Sequence, residues 1–381
     1  MENKEQLDFE SIRPYEDHEI QSVFNRLKKE TSFMNLLGFL YPAVPAEEFM
    51  NRLTTMTSIR QFQEEVVSAF IKKVLEDTTK GVTVTGLDQL DPEASYLFIS
   101  NHRDILLDPA ILNVQLVEHG FNTTEIAIGD NLLIFPWITD LVKLNRTFIV
   151  KRNLTARKIL ESSRTLSAYI RHALKVKKRS IWIAQREGRS KDGNDRTQVS
   201  LMKMFNISGQ GDLLDNFKEL KIVPVSVSYE FDPCDYLKAE EFYLKQTNPD
   251  FVKTQDDDLK HMITGLKGRK GHIHISFGKP LIEELNPIAT LTIKNDQFTA
   301  LAKIIDEHVH ANYKLWPGNY VAWDLLNKST KYADHYSQEE KETFTNYIDE
   351  HIKRTKYDSK FVYQNLLEMY ANPLINKLKE K

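Results

Sequence analysis

The sequence is poor in the features that define several common protein classes. It has one cysteine, Cys234, in 381 residues, which excludes an intrachain disulfide framework and favours a reducing compartment. Its longest stretch without charge, residues 31–46, is shorter than the roughly 20 apolar residues that a membrane-spanning helix needs, and it contains two prolines. The first residues, MENKEQLDFE, are acidic and polar and do not resemble a signal peptide. We therefore expect a cytoplasmic protein that does not cross a membrane.

Charge is nearly balanced overall but unevenly distributed along the chain. The formal net charge is −3. Residues 143–179 nevertheless contain twelve lysine or arginine residues and one acid, Glu161, so this segment alone carries +11. A helix with a solvated basic face explains it simply; a surface that attracts a phosphorylated substrate, an anionic membrane or an acidic carrier protein is the alternative. Aromatic residues are not interleaved with these charges and no recognition motif accompanies them, so we expect no nucleic-acid partner.

Hydrophobic periodicity divides the chain into three regions. Apolar residues recur at helical spacing up to residue 80, and again from residue 287 onward. Between them, β-branched and apolar runs alternate with helix-length segments such as 108–119 and 155–177. These runs are VTVTG, YLFIS, EIAIG, TFIV, SIWIA, IVPVSVSY and HIHISF. The alternation predicts an α/β domain at 81–286 with a mostly parallel sheet, between helical N-terminal (1–80) and C-terminal (287–381) regions.

The stretch ISNHRDILLD, residues 99–108, has two interpretations. His-Arg-Asp occurs in the catalytic loop of protein kinases, but that loop needs an asparagine five residues after its aspartate. Five residues after Asp104 is Pro109, and the sequence has no Asp-Phe-Gly. The other interpretation is a general base, His102, at a strand end, with a carboxylate that fixes its tautomer and stabilises the imidazolium. Asp108 and Asp104 are both candidates for that partner. Asp108 is favoured, although Asp108-Pro109 also fits a helix start with the aspartate as N-cap alone.

Three further stretches follow this motif in order. They are GDNLLIFPWITDLVKLNRTFIVKR (129–152), WIAQREGRSKDG (182–193) and IVPVSVSYE (222–230). Together with NHRDILLD they resemble the four sequence blocks of the glycerol-3-phosphate and lysophosphatidic acid acyltransferase superfamily. The resemblance covers roughly residues 82–281 and implies that family's fold, a mostly parallel sheet with flanking helices. Two departures stand out: five residues instead of four separate His102 from Asp108, and Arg189 directly follows Gly188.

The resemblance implies roles for individual residues. His102 would be the general base, and Asp108 would orient it and stabilise its positive charge. Arginine side chains hold phosphate groups well, because several N–H groups can donate to one phosphate. The residues expected to bind the substrate are Arg103, Arg152, Glu187, Gly188 and Arg189. No metal and no cofactor are expected, because the acyl thioester is itself the activated donor.

The function that the resemblance implies is O-acyl transfer in phospholipid biosynthesis. A fatty acyl group would move from acyl-CoA or acyl-carrier protein to a hydroxyl of 1-acylglycerol-3-phosphate or glycerol-3-phosphate, with another lysolipid acceptor left open. The alternative is a catalytically silent scaffold of the same fold that holds lipids or an acyl carrier. Because the product is amphiphilic, we expect peripheral contact with the anionic inner face of the cell membrane through residues 31–46 and the basic segment 143–179. A buried hairpin is the other interpretation of residues 31–46.

The remaining candidate ligands and nucleophiles in the sequence are weak. His272 and His274 alternate along one predicted strand and could form part of a metal site, but the sequence offers no evident third ligand. Cys234 has no neighbouring base in the sequence, and we expect it to be inert.

Overall fold

A seven-stranded sheet lies at the centre of the computed structural model, which describes residues 8–41, 43–152 and 154–380. Within these residues the strands are β1 (Thr79–Thr85), β2 (Leu97–Ser100), β3 (Glu125–Gly129), β4 (Thr147–Val150), β5 (Ile181–Ala184), β6 (Ile222–Tyr229) and β7 (Gly271–Phe277). Their order across the sheet is β1-β7-β6-β2-β5-β3-β4. Strands β2 to β6 run parallel to one another, and β7 is antiparallel to β6. The predicted α/β fold with a mostly parallel sheet is confirmed, as is each predicted strand.

Helices precede, flank and follow this sheet. The α-helices of the described residues are α1 (Ile20–Leu27), α2 (Thr31–Leu40), α3 (Ala46–Thr54), α4 (Ile59–Phe62), α5 (Ala69–Thr78), α6 (Leu107–Glu118), α7 (Pro136–Leu144), α8 (Ala156–Lys175), α9 (Val199–Asn206), α10 (Leu213–Lys218), α11 (Asp235–Thr247), α12 (Gln255–Lys267), α13 (Lys294–Asn312), α14 (Pro317–Leu326), α15 (Gln338–Ile352) and α16 (Ser359–Lys379). The helices predicted at 108–119 and 155–177 correspond to α6 and α8. No helix in this described part of the chain combines the length and apolar character needed to cross a membrane.

Side-chain alternation along β2 shows how the sheet is covered on both faces. Leu97 and Ile99 pack into a core with residues of α8, α9 and α13. Phe98 points the other way, into a core with residues of α5 and α6. All residues of β2 and β6 are buried, which explains why these strands appear in the sequence as nearly continuous apolar runs.

The apolar stretch 31–46 forms part of a small N-terminal core. Phe33 and Leu37 of α2 are buried in a cluster with residues of α1 and α3. The buried interpretation therefore holds for these two side chains. Pro42, which belongs to the same stretch, lies outside the described residues.

The basic segment 143–179 divides into two parts. In its second half, cationic side chains form ion pairs with acids from other elements. These pairs are Arg171–Glu219, Lys175–Glu219, Lys177–Glu16 and Arg179–Glu16. In contrast, Arg157, Lys158 and Arg164 are exposed on the first half of α8. The positive charge available to a partner is therefore concentrated near the start of α8.

The regional boundaries expected from the sequence remain a prediction. Strand β1 begins at Thr79, close to the expected start of the α/β region. A 3₁₀-helix, Glu283–Thr290, spans the expected boundary at residues 286 and 287. Beyond it, α16 packs against α14, and also against α11 of the preceding region.

Candidate active site

The carboxyl ends of the parallel strands bring the predicted site residues to one edge of the sheet. His102 follows β2, Arg152 follows β4, and the segment 187–189 follows β5. Because β2, β4 and β5 run in the same direction, these ends share an edge. The backbone N–H of Ser190 donates to the carbonyl of His102 (3.1 Å), which fastens the segment after β5 to the histidine.

His102 and Asp108 are in direct contact. The ring Nδ1 of His102 lies 2.7 Å from Oδ2 of Asp108. The aspartate side chain is completely buried, whereas 13% of the histidine side chain is exposed. An ionised carboxylate can only accept, so Nδ1 carries the hydrogen and Nε2 is the nitrogen that can accept a proton. This arrangement suits a histidine that acts as a general base.

Asp108 accepts hydrogen bonds from three groups in addition to His102. Its Oδ2 also accepts from the backbone N–H groups of Arg103 (2.6 Å) and Asp104 (3.0 Å), and its Oδ1 accepts from the hydroxyl of Tyr229 (2.9 Å). Burial by itself raises the pKa of Asp108, but the hydrogen bonds from His102 and from these backbone amides outweigh burial and hold the pKa below its usual value of 3.8. The carboxylate therefore stays ionised at neutral pH.

Asp104, and not Asp108, accepts from backbone amides at the start of α6. Its Oδ1 accepts from the backbone N–H groups of Leu106 and Leu107 (both 2.9 Å), at the start of α6. Burial, with the charge of Asp108 as a second cause, raises the pKa of Asp104. Asp108 instead lies inside the first turn of α6, so it can reach back to His102 across the five intervening residues. The partner of His102 is Asp108.

Arg103 does not join this group, and its role in substrate binding stays a prediction. Its guanidinium makes two hydrogen bonds with the carboxylate of Asp195 (2.7 and 2.6 Å) and is almost fully buried. It also lies over the ring of Tyr313, at 5.7 Å from the ring centre. Nη1 and Nη2 both donate to this carboxylate, so the geometry gives Arg103 a structural place in the site.

Arg152 and Glu187 meet at the edge of the sheet. Nη1 of Arg152 lies 3.3 Å from Oε1 of Glu187, and both side chains are partly exposed. A side chain at position 129 would collide with Arg152, because a Cβ on Gly129 would lie 2.4 Å from its Nε. Gly188 adopts a φ of 70°, a conformation that other residues rarely adopt. Predicted residues from two sequence blocks thus form one polar cluster.

Arg189 lies deeper than Arg152. Its Nη2 is 2.9 Å from Nδ1 of His261, and its Nη1 is buried without a hydrogen-bond partner in the described structure. Burial and the charge of Arg189 lower the pKa of His261, so that this imidazole is neutral and can accept from the guanidinium. An unsatisfied buried N–H group is costly, and a bound anion would satisfy it.

Several residues of the site were missed at the level of sequence. Tyr229, the last residue of β6, supplies the hydroxyl that reaches Asp108. Lys238 is fully buried, donates to the carbonyl of Arg103 (2.7 Å) and pairs with Asp232. Trp182 of β5 donates to the hydroxyl of Ser100 (3.0 Å) and turns its edge to the ring of His102. The one available signal was the alternation Val-Ser-Val-Ser-Tyr in β6, which places Tyr229 on the face that α6 covers.

The weaker candidates are accounted for by other partners. His274 contacts the hydroxyls of Thr83 (2.8 Å) and Thr85 (3.2 Å) on the neighbouring strand β1. His272 stacks on Trp316. Burial raises the pKa of Cys234 to about 12, so its thiol stays protonated at neutral pH, in agreement with the expectation that it is inert.

Comparison with known proteins gives a family match for the central part of the chain. Residues 81–228, the part that carries β1 to β6 and all seven predicted site residues, match the model of the family described as Acyltransferase. The chain carries an acyltransferase-family domain. The resemblance to the glycerol-3-phosphate and lysophosphatidic acid acyltransferases is thereby confirmed.

The chain is similar to curated and to solved proteins over much of its length. It is 25% identical over 292 residues to a glycerol-3-phosphate acyltransferase of Pseudomonas entomophila (strain L48) and 24% identical over 292 residues to one of Pseudomonas putida (strain W619). Each alignment covers 72% of this chain but 33% of the relative, so the chain spans about a third of the length of these curated relatives. The 1-acyl-sn-glycerophosphate (LPA) acyltransferase PlsC from Thermotoga maritima aligns at 12% identity with a TM-score of 0.37, covering 77% of this chain and 92% of that protein.

Proposed function

We propose that this chain is an O-acyltransferase that moves a fatty acyl group from a thioester to a hydroxyl of a glycerol-phosphate acceptor. The observation that carries the proposal is the contact between His102 and Asp108 at the edge of the sheet where the segments that carry Arg152 and Arg189 also begin. The acceptor is 1-acylglycerol-3-phosphate or glycerol-3-phosphate. The donor is acyl-CoA or acyl-carrier protein.

The proposed reaction uses the free nitrogen of His102. Nε2 takes the proton of the acceptor hydroxyl as that oxygen attacks the carbonyl carbon of the thioester. Asp108 stabilises the imidazolium that forms, and its own ionised state is maintained by its hydrogen bonds. The tetrahedral intermediate then expels the thiolate with cleavage of the C–S bond, and the thiolate receives the proton from Nε2. A positioned base of this kind contributes about 10²- to 10⁴-fold to a rate.

The two arginines suit the phosphate of the acceptor. Arg152 is 29% exposed, and its partner Glu187 is more exposed still, so a phosphate can approach its guanidinium from solvent. Arg189 offers a buried N–H group that has no partner among the described residues. A phosphate held by both would place the glycerol hydroxyl in a fixed position, which is the condition for fast attack. Glu187 would orient Arg152, and Gly188 would provide the turn between Glu187 and Arg189.

The membrane contact we propose lies near the start of α8. Phe135, Ile159 and Leu160 are about half exposed, and Arg157 and Lys158 are exposed beside them. These residues follow β3 and β4, whose carboxyl ends lie at the same edge as the candidate active site. Exposed apolar side chains beside cations are suited to an anionic lipid surface, with about 1 kcal/mol for each cation close to it.

A direct test is thiol release by the purified chain with acyl-CoA or acyl-carrier protein and each acceptor in turn. Wild type should release thiol, and His102→Ala should lose at least about 10²-fold of that rate. His308→Ala, on α13 and away from the site, serves as the control. Full activity of His102→Ala would contradict the mechanism. If wild type released no thiol with any donor or acceptor, the silent scaffold would be the better explanation.

Two further measurements address the substrate and the membrane. Mass spectrometry of the products from a panel of acceptors identifies the acceptor. Flotation with anionic and neutral vesicles measures membrane contact, and the variant Lys158→Glu should float less with anionic vesicles. Equal flotation of this variant and wild type would contradict the proposed contact surface.

A further inference from the structure

A cavity of about 630 Å³ lies between α12 and α15, outside the candidate active site. Its walls are formed by the residues after β6, by the carboxyl end of α12 and by α15. This volume is in the range of small-molecule sites in proteins, which is about 300–1,000 Å³. The cavity lies outside residues 81–228, the part of the chain that matches the family model.

The charged residues that line the cavity are mostly cationic. Lys267, Arg269 and Arg354 line it, together with one acid, Glu350. The guanidinium of Arg269 lies over the ring of Phe231, at 4.7 Å from the ring centre, and that of Arg354 lies over the ring of Tyr236, at 5.8 Å. Contact with an aromatic face restrains a guanidinium but leaves its N–H edge available to a ligand.

A buried histidine contributes a further polar group to the same cavity. His351 lines it and is almost fully buried. Its Nδ1 pairs with the carboxylate of Asp235, whose other oxygen accepts from the hydroxyl of Tyr370 (2.8 Å). This repeats the arrangement of His102, Asp108 and its tyrosine. Nε2 of His351 makes no hydrogen bond to any described residue, so it remains available to a group inside the cavity.

We propose that this cavity is a binding site for a phosphorylated small molecule. Three cationic side chains favour an anion over a cation or a neutral lipid chain. Phosphate oxygens would accept from the N–H edges of Arg269 and Arg354, and the charge of Lys267 adds to the positive potential of the cavity. Nε2 of His351, with Nδ1–H donated to Asp235, would accept from a hydroxyl of the ligand or from a singly protonated phosphate.

The proposal does not depend on acyl transfer, but α12 contacts both the cavity and the candidate active site. One side of α12 contacts the candidate active site, where Gly265 adjoins Asp104 and His261 accepts from Arg189. Thr264 and Lys267 of the same helix line the cavity. A ligand in the cavity would therefore touch the helix that supports Arg189.

Calorimetric titration of the full chain with inorganic phosphate, pyrophosphate and ADP tests the site. We expect ADP or pyrophosphate to bind wild type, and Arg269→Ala and Arg354→Ala each to weaken binding on the order of tenfold, as expected for loss of a charged hydrogen bond. Both side chains are exposed, so the variants should fold, and their thermal unfolding verifies this. Lys331→Ala is the matched control, because this lysine also lies over aromatic rings of the C-terminal region but lies outside the cavity.

A second binding experiment distinguishes a soluble phosphorylated ligand from a lipid headgroup. Vesicles with phosphatidic acid are compared with vesicles of neutral lipid, using the same variants. Binding that appears only with phosphatidic acid vesicles and falls in both arginine variants keeps the phosphate site and assigns it to a headgroup. The proposal is overturned if none of the probes binds wild type, or if binding is the same in the arginine variants as in Lys331→Ala. Loss of acyl transfer with intact ADP binding would affect the proposed function alone.

Discussion

Replacing Tyr229 by phenylalanine removes one of the four hydrogen bonds that Asp108 accepts, and its effects can be worked out from the geometry. The hydroxyl lies 2.9 Å from Oδ1 of a completely buried carboxylate. A hydrogen bond to a charged group contributes about 1.5–3 kcal/mol, so Tyr229→Phe should lower the free energy of unfolding by that amount at neutral pH. Because folding lowers the pKa of Asp108 from 3.8, the ionic part of this difference is present above about pH 4 and is lost as the pH falls further.

The same substitution should also change catalysis in a characteristic way. A carboxylate relieved of one donor stabilises an imidazolium more strongly, so the acidic limb of the kcat/KM profile should move to higher pH. The position of His102 becomes less well fixed, and kcat should fall by roughly tenfold or less, with little change in KM. The measurements are urea unfolding and steady-state thiol release between pH 5 and pH 9.

The matched control for Tyr229→Phe is Tyr169→Phe. Tyr169 is also a buried tyrosine whose hydroxyl donates to a buried carboxylate, that of Glu125, but this pair lies away from His102. It should lose a similar amount of stability with no shift in the pH profile. If the two variants had the same pH profile as wild type, Tyr229 would have only a structural role and the reasoning about Asp108 would be refuted.

Three other variants test the site and the fold. Arg152→Ala should raise KM for the acceptor by about tenfold with a smaller change in kcat, because it removes a phosphate donor; an unchanged KM would contradict that role. Glu16→Gln should destabilise the protein by roughly 1–2 kcal/mol at pH 7 after allowance for solvent screening. Burial opposes ionisation, yet the ion pair with Arg179 lowers the pKa of Glu16 from 4.5 to about 2. In urea unfolding, the difference in stability from wild type should therefore be full above pH 4.5 and vanish toward pH 2. A constant difference over that range would contradict the stabilising role of the ion pair. Gly265→Ala should destabilise by about 1–3 kcal/mol, although alanine favours a helix, because its Cβ would lie 2.1 Å from Oδ2 of Asp104; an equally stable variant would show that Asp104 can move freely.

The strands and the central contact of the site could be predicted because their signals are local. Each strand is a short run of β-branched or apolar residues that is buried on both faces. His102 and Asp108 are separated by five residues between the end of β2 and the first turn of α6, so a short segment determines their contact. The fold class followed from the alternation of these runs with helix-length segments.

The long-range partners could not be predicted from the sequence, because they depend on which strands are neighbours. Arg103 was expected to face the substrate, but Asp195 lies 92 residues further along the chain and reaches it only in the folded protein. The role of Tyr229 requires β6 to lie beside β2, with Ser100 opposite Val225. The alternation in β6 indicates the face on which Tyr229 lies, but no local pattern in a single sequence records which strand is its neighbour or which residue Arg103 contacts.

The backbone amides of Arg103 and Asp104 donate to the same carboxylate oxygen that contacts the imidazole. The carboxylate of Asp108 therefore fixes both the orientation of the His102 ring and the conformation of the loop after β2. Helix α6, which carries Asp108, is itself packed inside the protein. A substrate entering the site would meet a base that is already aligned, and little dipole reorientation would accompany the proton transfer. Under the proposed function, a change of acceptor preference would involve Arg152 and Arg189 and would leave this anchored pair of His102 and Asp108 undisturbed.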